Sequence, residues 1–149
     1  MEKENIKKWL EIKDKEFEDV YEFFRYYVVF NSLYNNTYSD KKSEVSAIRN
    51  LIKNIEKNNK FDLKISLSED MEIYKKKVVN MKNPSNQIFS QKNLQKGKYE
   101  DLFAAIYQIR CNLFHGSKEM NCLRDKNLVK EAANILKQFL EKYLEIINE

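Results

Sequence analysis

Two glycines and one proline in 149 residues leave this chain few places to turn sharply. A β-sandwich or barrel needs turn residues roughly every 8–12 positions, and here they are missing. The expected fold is therefore all-α, a bundle of four to five helices. The length suits one domain over residues 1–149 with a single modest core. Hydrophobic residues make up 42% and charged residues 34%, enough for a core under a well-solvated surface.

Apolar spacing places the helices. A short lead-in over 4–12 carries Ile6, Trp9 and Leu10. A long helix is predicted from Lys15 to Asn35, with Phe17, Tyr21, Phe24 and Val28 as its apolar face. A second, from Lys41 to Lys57, turns Val45, Ile48, Leu51, Ile52 and Ile55 inward. "FDLKISL" (61–67) alternates like a strand, but no second strand is evident for it to pair with, so it reads as an extended connector packed on the bundle. Ser68 is placed to cap a helix from Glu69 to Met81. "NPSNQIFSQKNLQKGK" reads as an irregular polar loop. A further helix runs from Lys98 to His115, with Gly116 just past its end. A final helix from Asp125 to Ile147 buries Leu128, Ala132, Ile135, Leu136, Phe139, Leu140, Tyr143 and Ile147.

Several classes of protein are disfavoured. Cys111 and Cys122 do not make a disulfide framework, and with a single histidine they do not point to a structural zinc site within one chain. The N-terminus has no apolar signal core, and no run approaches about 18 uninterrupted apolar residues. The expectation is a cytoplasmic protein without membrane attachment.

Charge is unevenly spread. Ile73 to Lys98 holds seven lysines and no acid, in a chain whose formal net charge is +4. The rest is thus about −3. Such a basic stretch suits a phosphate backbone. A solvated lysine-rich loop is the plain alternative.

Two polar residues stand on apolar faces. In the helix ending near 115, Leu102, Phe103, Ile106, Ile109 and Leu113 form one stripe, and Arg110 lies at its edge. It either snorkels out beside the core, pairs with a carboxylate or serves a site. His115 comes five residues later, about 140° around an ideal helix and about 7.5 Å along it. At a helix C-terminus the dipole favours imidazolium, which suits an anionic ligand. Asn112, three residues earlier, is placed to orient that ring. Asn31 falls on the apolar face of the long helix, where its amide needs a partner: Arg110 across the bundle, or backbone near the helix end.

"RCNLFHG" is an Arg-x4-His arrangement at the end of a bundle helix. It resembles the motif of the HEPN superfamily (higher eukaryotes and prokaryotes nucleotide-binding domain). "FFRYYVVFNSLYNN" is similar to the aromatic, FNxLY-bearing first long helix of many prokaryotic members. Many such proteins are metal-independent endoribonucleases acting as dimers. The resemblance maps the motif arginine and histidine onto Arg110 and His115. The polar residue that often follows the arginine is here Cys111, with the amide one place later at Asn112. A tyrosine two residues after the histidine marks the antitoxin-paired branch, and here that position is Ser117.

The residue types suit the implied chemistry. RNA carries its own nucleophile, the 2′-OH. His115 can move a proton near neutral pH, and Arg110 can meet the charge of a developing phosphorane. Asn112 and Asn31 are supporting candidates. Lys75, Lys76, Lys77, Lys96, Lys98 and Lys118 are candidates for RNA binding. One chain offers a single imidazole, whereas a twofold homodimer would present two arginines and two histidines across one cleft. The expectation is a toxin-like or anti-phage ribonuclease needing no cofactor or metal. It would bind RNA, with a cognate antitoxin or other protein as a further partner. The alternatives are a non-catalytic module that binds nucleotide or RNA or scaffolds a protein, and a plain interaction bundle in which Arg110 and His115 are structural.

Overall fold

The computed structural model describes residues 3–10, 14–38, 43–58, 65–75, 78–80, 83–114 and 123–147. They form α1 (Lys3–Leu10), α2 (Asp14–Tyr38), α3 (Glu44–Lys57), α4 (Gln91–Gln95), α5 (Tyr99–Phe114) and α6 (Leu123–Ile147). A single 3-10 turn covers Glu72–Tyr74. The described residues contain no strand, so the all-α bundle holds.

α5 is the spine. Leu102, Phe103, Ala104, Ala105, Ile106, Ile109 and Leu113 are all buried, as the apolar stripe requires. α3 packs along it with Ile48, Leu51, Ile52 and Ile55 inward. α2 packs on both α3 and α6. At the centre Phe30, Phe103 and Phe139 meet with centroids 5.0–5.6 Å apart. Each such ring pair adds about 0.5–1.5 kcal/mol beyond its buried area.

The inward face of α2 differs from the expected one. Val20, Phe23, Tyr27, Phe30 and Tyr34 are buried, while Phe17, Tyr21 and Val28 are exposed and Phe24 is half-buried. α2 is apolar around much of its circumference, so periodicity fits two stripes. The bundle selects the one whose aromatic rings reach Phe103 and Phe139. On α1, Ile6 and Leu10 are exposed as well.

The helix expected from Glu69 to Met81 does not form. Its donors and acceptors are taken by distant side chains. The Glu72 and Ile73 N–H groups donate to the Glu131 carboxylate at 2.9 and 3.0 Å. The Tyr74 carbonyl, which an α-helix would give to residue 78, accepts from Gln91 Nε2 and Gln95 Nε2. One 3-10 turn survives, with Ile73 fully buried beneath it.

The loop before α5 contains a helix not expected from sequence. Ser90 caps α4 by accepting from the Asn93 N–H. Phe89 before the cap and Leu94 four residues into the helix are both buried, the arrangement of a hydrophobic staple. The connector reading holds where residues 65–68 are described: Ile65 is buried, and Gln138 of α6 accepts from the Ser66 N–H at 2.7 Å. Residues 61–64 lie outside the described residues.

Candidate functional site at the Arg110 end of the bundle

α3 and α5 run antiparallel. Glu44, in the first turn of α3, meets Arg110, one turn before the end of α5, while Arg49 meets Asp101 nearer the other end. Local helix physics favours the placement of Glu44: Ser43 caps α3, and a carboxylate in the first turn suits the helix N-terminus.

Arg110 is about one-quarter exposed, and its guanidinium lies among three rings. Its carbon is 4.4 Å from the centroid of Phe114, 5.8 Å from Tyr27 and 5.9 Å from Tyr107. Nη1 stands 3.9 Å from Glu44 Oε2 and 4.0 Å from Cys111 Sγ. Nε is buried and has no hydrogen-bond partner among the described residues. Burial opposes the charge, but Cys111, Tyr27 and Glu44 outweigh it and hold the guanidinium above its ordinary value. The cation is thus held mostly by ring faces and a single loose ion pair, with hydrogen-bonding capacity left over.

Below it, the Tyr27 and Tyr34 hydroxyls share a buried hydrogen bond of 2.9 Å. Burial raises both phenols, Tyr27 far up and Tyr34 to about 12 from the ordinary 10.0. Burial likewise raises Tyr107, with Cys111 and Glu44 adding to the rise. All three phenols stay neutral at physiological pH, and Tyr27 and Tyr107 present their rings to Arg110.

The other expected site residues are dispersed. Asn112 is buried: its Nδ2 donates to the Val79 carbonyl at 2.8 Å, and its Oδ1 accepts from Gln108 Nε2 at 2.9 Å. It thereby ties residues 78–80 to α5. Asn31 is half-buried and accepts from Asn35 Nδ2 on its own helix at 2.9 Å, rather than from Arg110 or from backbone. His115, Lys76, Lys77 and Lys118 lie outside the described residues. Lys96 and Lys98 border one cleft, whereas Lys75 lies beside Glu131.

Sequence reasoning missed Glu44, Tyr107 and Phe114. Glu44 reads as an ordinary first-turn acid after a capping serine. Tyr107 and Phe114 stand at i−3 and i+4 from Arg110, a spacing that brackets a cation with rings on one helix face. That signal was legible.

An exposed apolar stripe adjoins the site. Phe17, Tyr21 and Val28 are 54%, 57% and 65% exposed. Phe24, between them, reaches Phe114 with centroids 4.9 Å apart. Phe114 is itself 56% exposed, so the stripe runs into the rings around Arg110. Among the described residues no group of three or more His, Cys, Asp or Glu side chains is placed to hold a metal ion. No described helix is long and apolar enough to cross a membrane. Comparison with protein-family models, curated proteins and solved structures finds no match.

Proposed function

We propose that this chain is an endoribonuclease of the HEPN type, working as a twofold dimer with Arg110 and His115 at a shared cleft. The supporting observation is the setting of Arg110. Its guanidinium sits at the surface end of a core helix, loosely paired and directly beside an exposed apolar stripe. A second copy laid on that stripe would bring two such arginines close together and exclude water from the phosphate between them.

In this proposal the 2′-oxygen of the RNA attacks its own phosphorus as it loses its proton, and the bond to the 5′-oxygen breaks. The products are a 2′,3′-cyclic phosphate and a 5′-hydroxyl. His115 takes the proton from the 2′-OH or supplies one to the leaving oxygen, one imidazole from each chain serving each task. Arg110 neutralises the phosphorane. The substrate supplies the nucleophile, so the proposal needs no metal. Incubating mixed RNA in chelator with wild type beside His115→Ala tests it, with loss of cleavage in the variant expected.

One observation favours a second reading. Arg110 already has partners within its own chain, in Glu44 and three rings. On that reading it is structural, and the chain is a binding or interaction module. Undiminished cleavage by His115→Ala, or no cleavage by wild type, would favour it.

A further inference from the structure

We propose that the cleft between α3 and the α4–α5 turn is a second anion site, which grips the phosphates of a single RNA strand at the end of α5 remote from Arg110. It deepens the ribonuclease proposal and rests on it for the choice of RNA as ligand.

The cleft has a volume of about 660 Å³, within the range of roughly 300–1,000 Å³ typical of ligand sites. Arg49 and Lys53 reach it from α3, one turn apart. Lys96 and Lys98 reach it from the turn after α4. That turn depends on Gly97, whose φ of +80° is one that L side chains rarely adopt. Lys96 and Lys98 flank that glycine in sequence.

The carboxylates must be counted too. Glu56, Glu100 and Asp101 also line the cleft. Arg49 stands 3.3 Å from Asp101 and 3.8 Å from Glu100, and against the three carboxylates the four cations leave the cleft a net charge of +1. The buried Asp101 oxygen is held further by the Ser90 N–H at 2.9 Å. Lys53, Lys96 and Lys98 have no carboxylate within ion-pair distance among the described residues. Lys98 acts on Glu56 only at longer range. Three unpaired ammonium groups drawn from two elements, with the half-buried Tyr99 ring beside them, suit phosphates flanked by bases.

The antiparallel α3–α5 seam connects this cleft to the Arg110 site. From Tyr99 to Arg110 α5 rises about 16 Å. A short oligonucleotide spans that distance and a mononucleotide does not.

The test uses the full chain and a mixed-sequence decamer with 2′-O-methyl riboses, which cannot be cut by its own 2′-oxygen. Fluorescence anisotropy is followed against salt for wild type and for Lys53→Ala/Lys96→Ala/Lys98→Ala. All three lysines are exposed, and circular dichroism checks the fold. Each single-strand phosphate contact contributes about 0.7 to the log–log salt slope, so the triple variant should lose about 2 from the slope and roughly tenfold or more in affinity. Replacing the same lysines with arginine should retain both. Equal affinity and slope in wild type and triple variant would overturn the cleft. So would adenosine monophosphate binding as tightly as the decamer, which would make this a nucleotide pocket. Lysine-dependent binding with intact unmodified RNA keeps the cleft and overturns the ribonuclease proposal. Cleavage with lysine-independent binding does the reverse.

Discussion

Glu44 Oε2 lies 3.9 Å from Arg110 Nη1 and joins the first turn of α3 to the C-terminal half of α5. The contact is loose and both side chains are partly exposed, so it contributes about 0–1 kcal/mol to stability. Under the ribonuclease proposal Glu44 would compete with a phosphate for Arg110 Nη1. Glu44→Gln should leave thermal stability nearly unchanged and raise RNA affinity several-fold. Weaker binding would mean that Glu44 orients Arg110 rather than competing for it.

Arg110 itself should matter for folding. Its stem and guanidinium cover Phe114, Tyr27 and Tyr107. Arg110→Ala should cost about 1–2 kcal/mol through lost ring contacts. Asn31 plays no part in this cost, because its amide oxygen is bonded to Asn35. Arg110→Lys keeps the charge but loses the planar fork, and should recover part of the stability and little of the cleavage. Urea unfolding of the three proteins measures the first effect. An unchanged midpoint in Arg110→Ala would show that the rings do not need their cation.

The exposed stripe on α2 should hold the dimer. Tyr21 and Val28 are more than half exposed in one chain, so Tyr21→Glu/Val28→Glu should leave helicity intact. At tens of micromolar, sedimentation should show dimer for wild type and monomer for the variant. A wild-type monomer, or a variant that still dimerises, would remove this face from the shared cleft.

Alkaline pH should destabilise the fold through the tyrosine pair. Burial raises Tyr27 and Tyr34, the latter to about 12. A raised folded value means the stability is complete below the unfolded value of 10.0 and is lost as pH rises above it. Melting temperature should therefore hold steady to about pH 9.5 and fall beyond it. Ultraviolet titration should show some of the nine tyrosines ionising only as the chain unfolds. Smooth ionisation of all nine near pH 10 in folded protein would contradict the buried pair.

Helix existence was legible in the sequence wherever one apolar stripe stood alone, as on α3, α5 and α6. It was ambiguous on α2, where the near-continuous aromatic run from Phe23 to Phe30 fits two faces and only packing on Phe103 and Phe139 decides. The helix expected over 69–81 failed for a non-local reason. Glu131 and Gln95 take up its backbone groups from far along the chain. Arg110 was legible as a polar residue at the edge of an apolar stripe. Its carboxylate partner was not, because Glu44 lies 66 positions away and nothing local distinguishes it. The cleft at Arg49 and Lys53 was hidden likewise, since charge counting along the chain saw only the lysine run after Ile73.

End-group analysis of cleaved RNA tests the central claim most directly. Wild type, His115→Ala and Arg110→Ala are incubated with mixed RNA in chelator, and the fragment ends are identified by mass. Wild type should yield 2′,3′-cyclic phosphates and 5′-hydroxyls. His115→Ala should yield none while keeping its fold, and Arg110→Ala should yield at most a trace. Cleavage by His115→Ala at the wild-type rate, or fragments carrying 5′-phosphates, would contradict ribose-driven chemistry at this site.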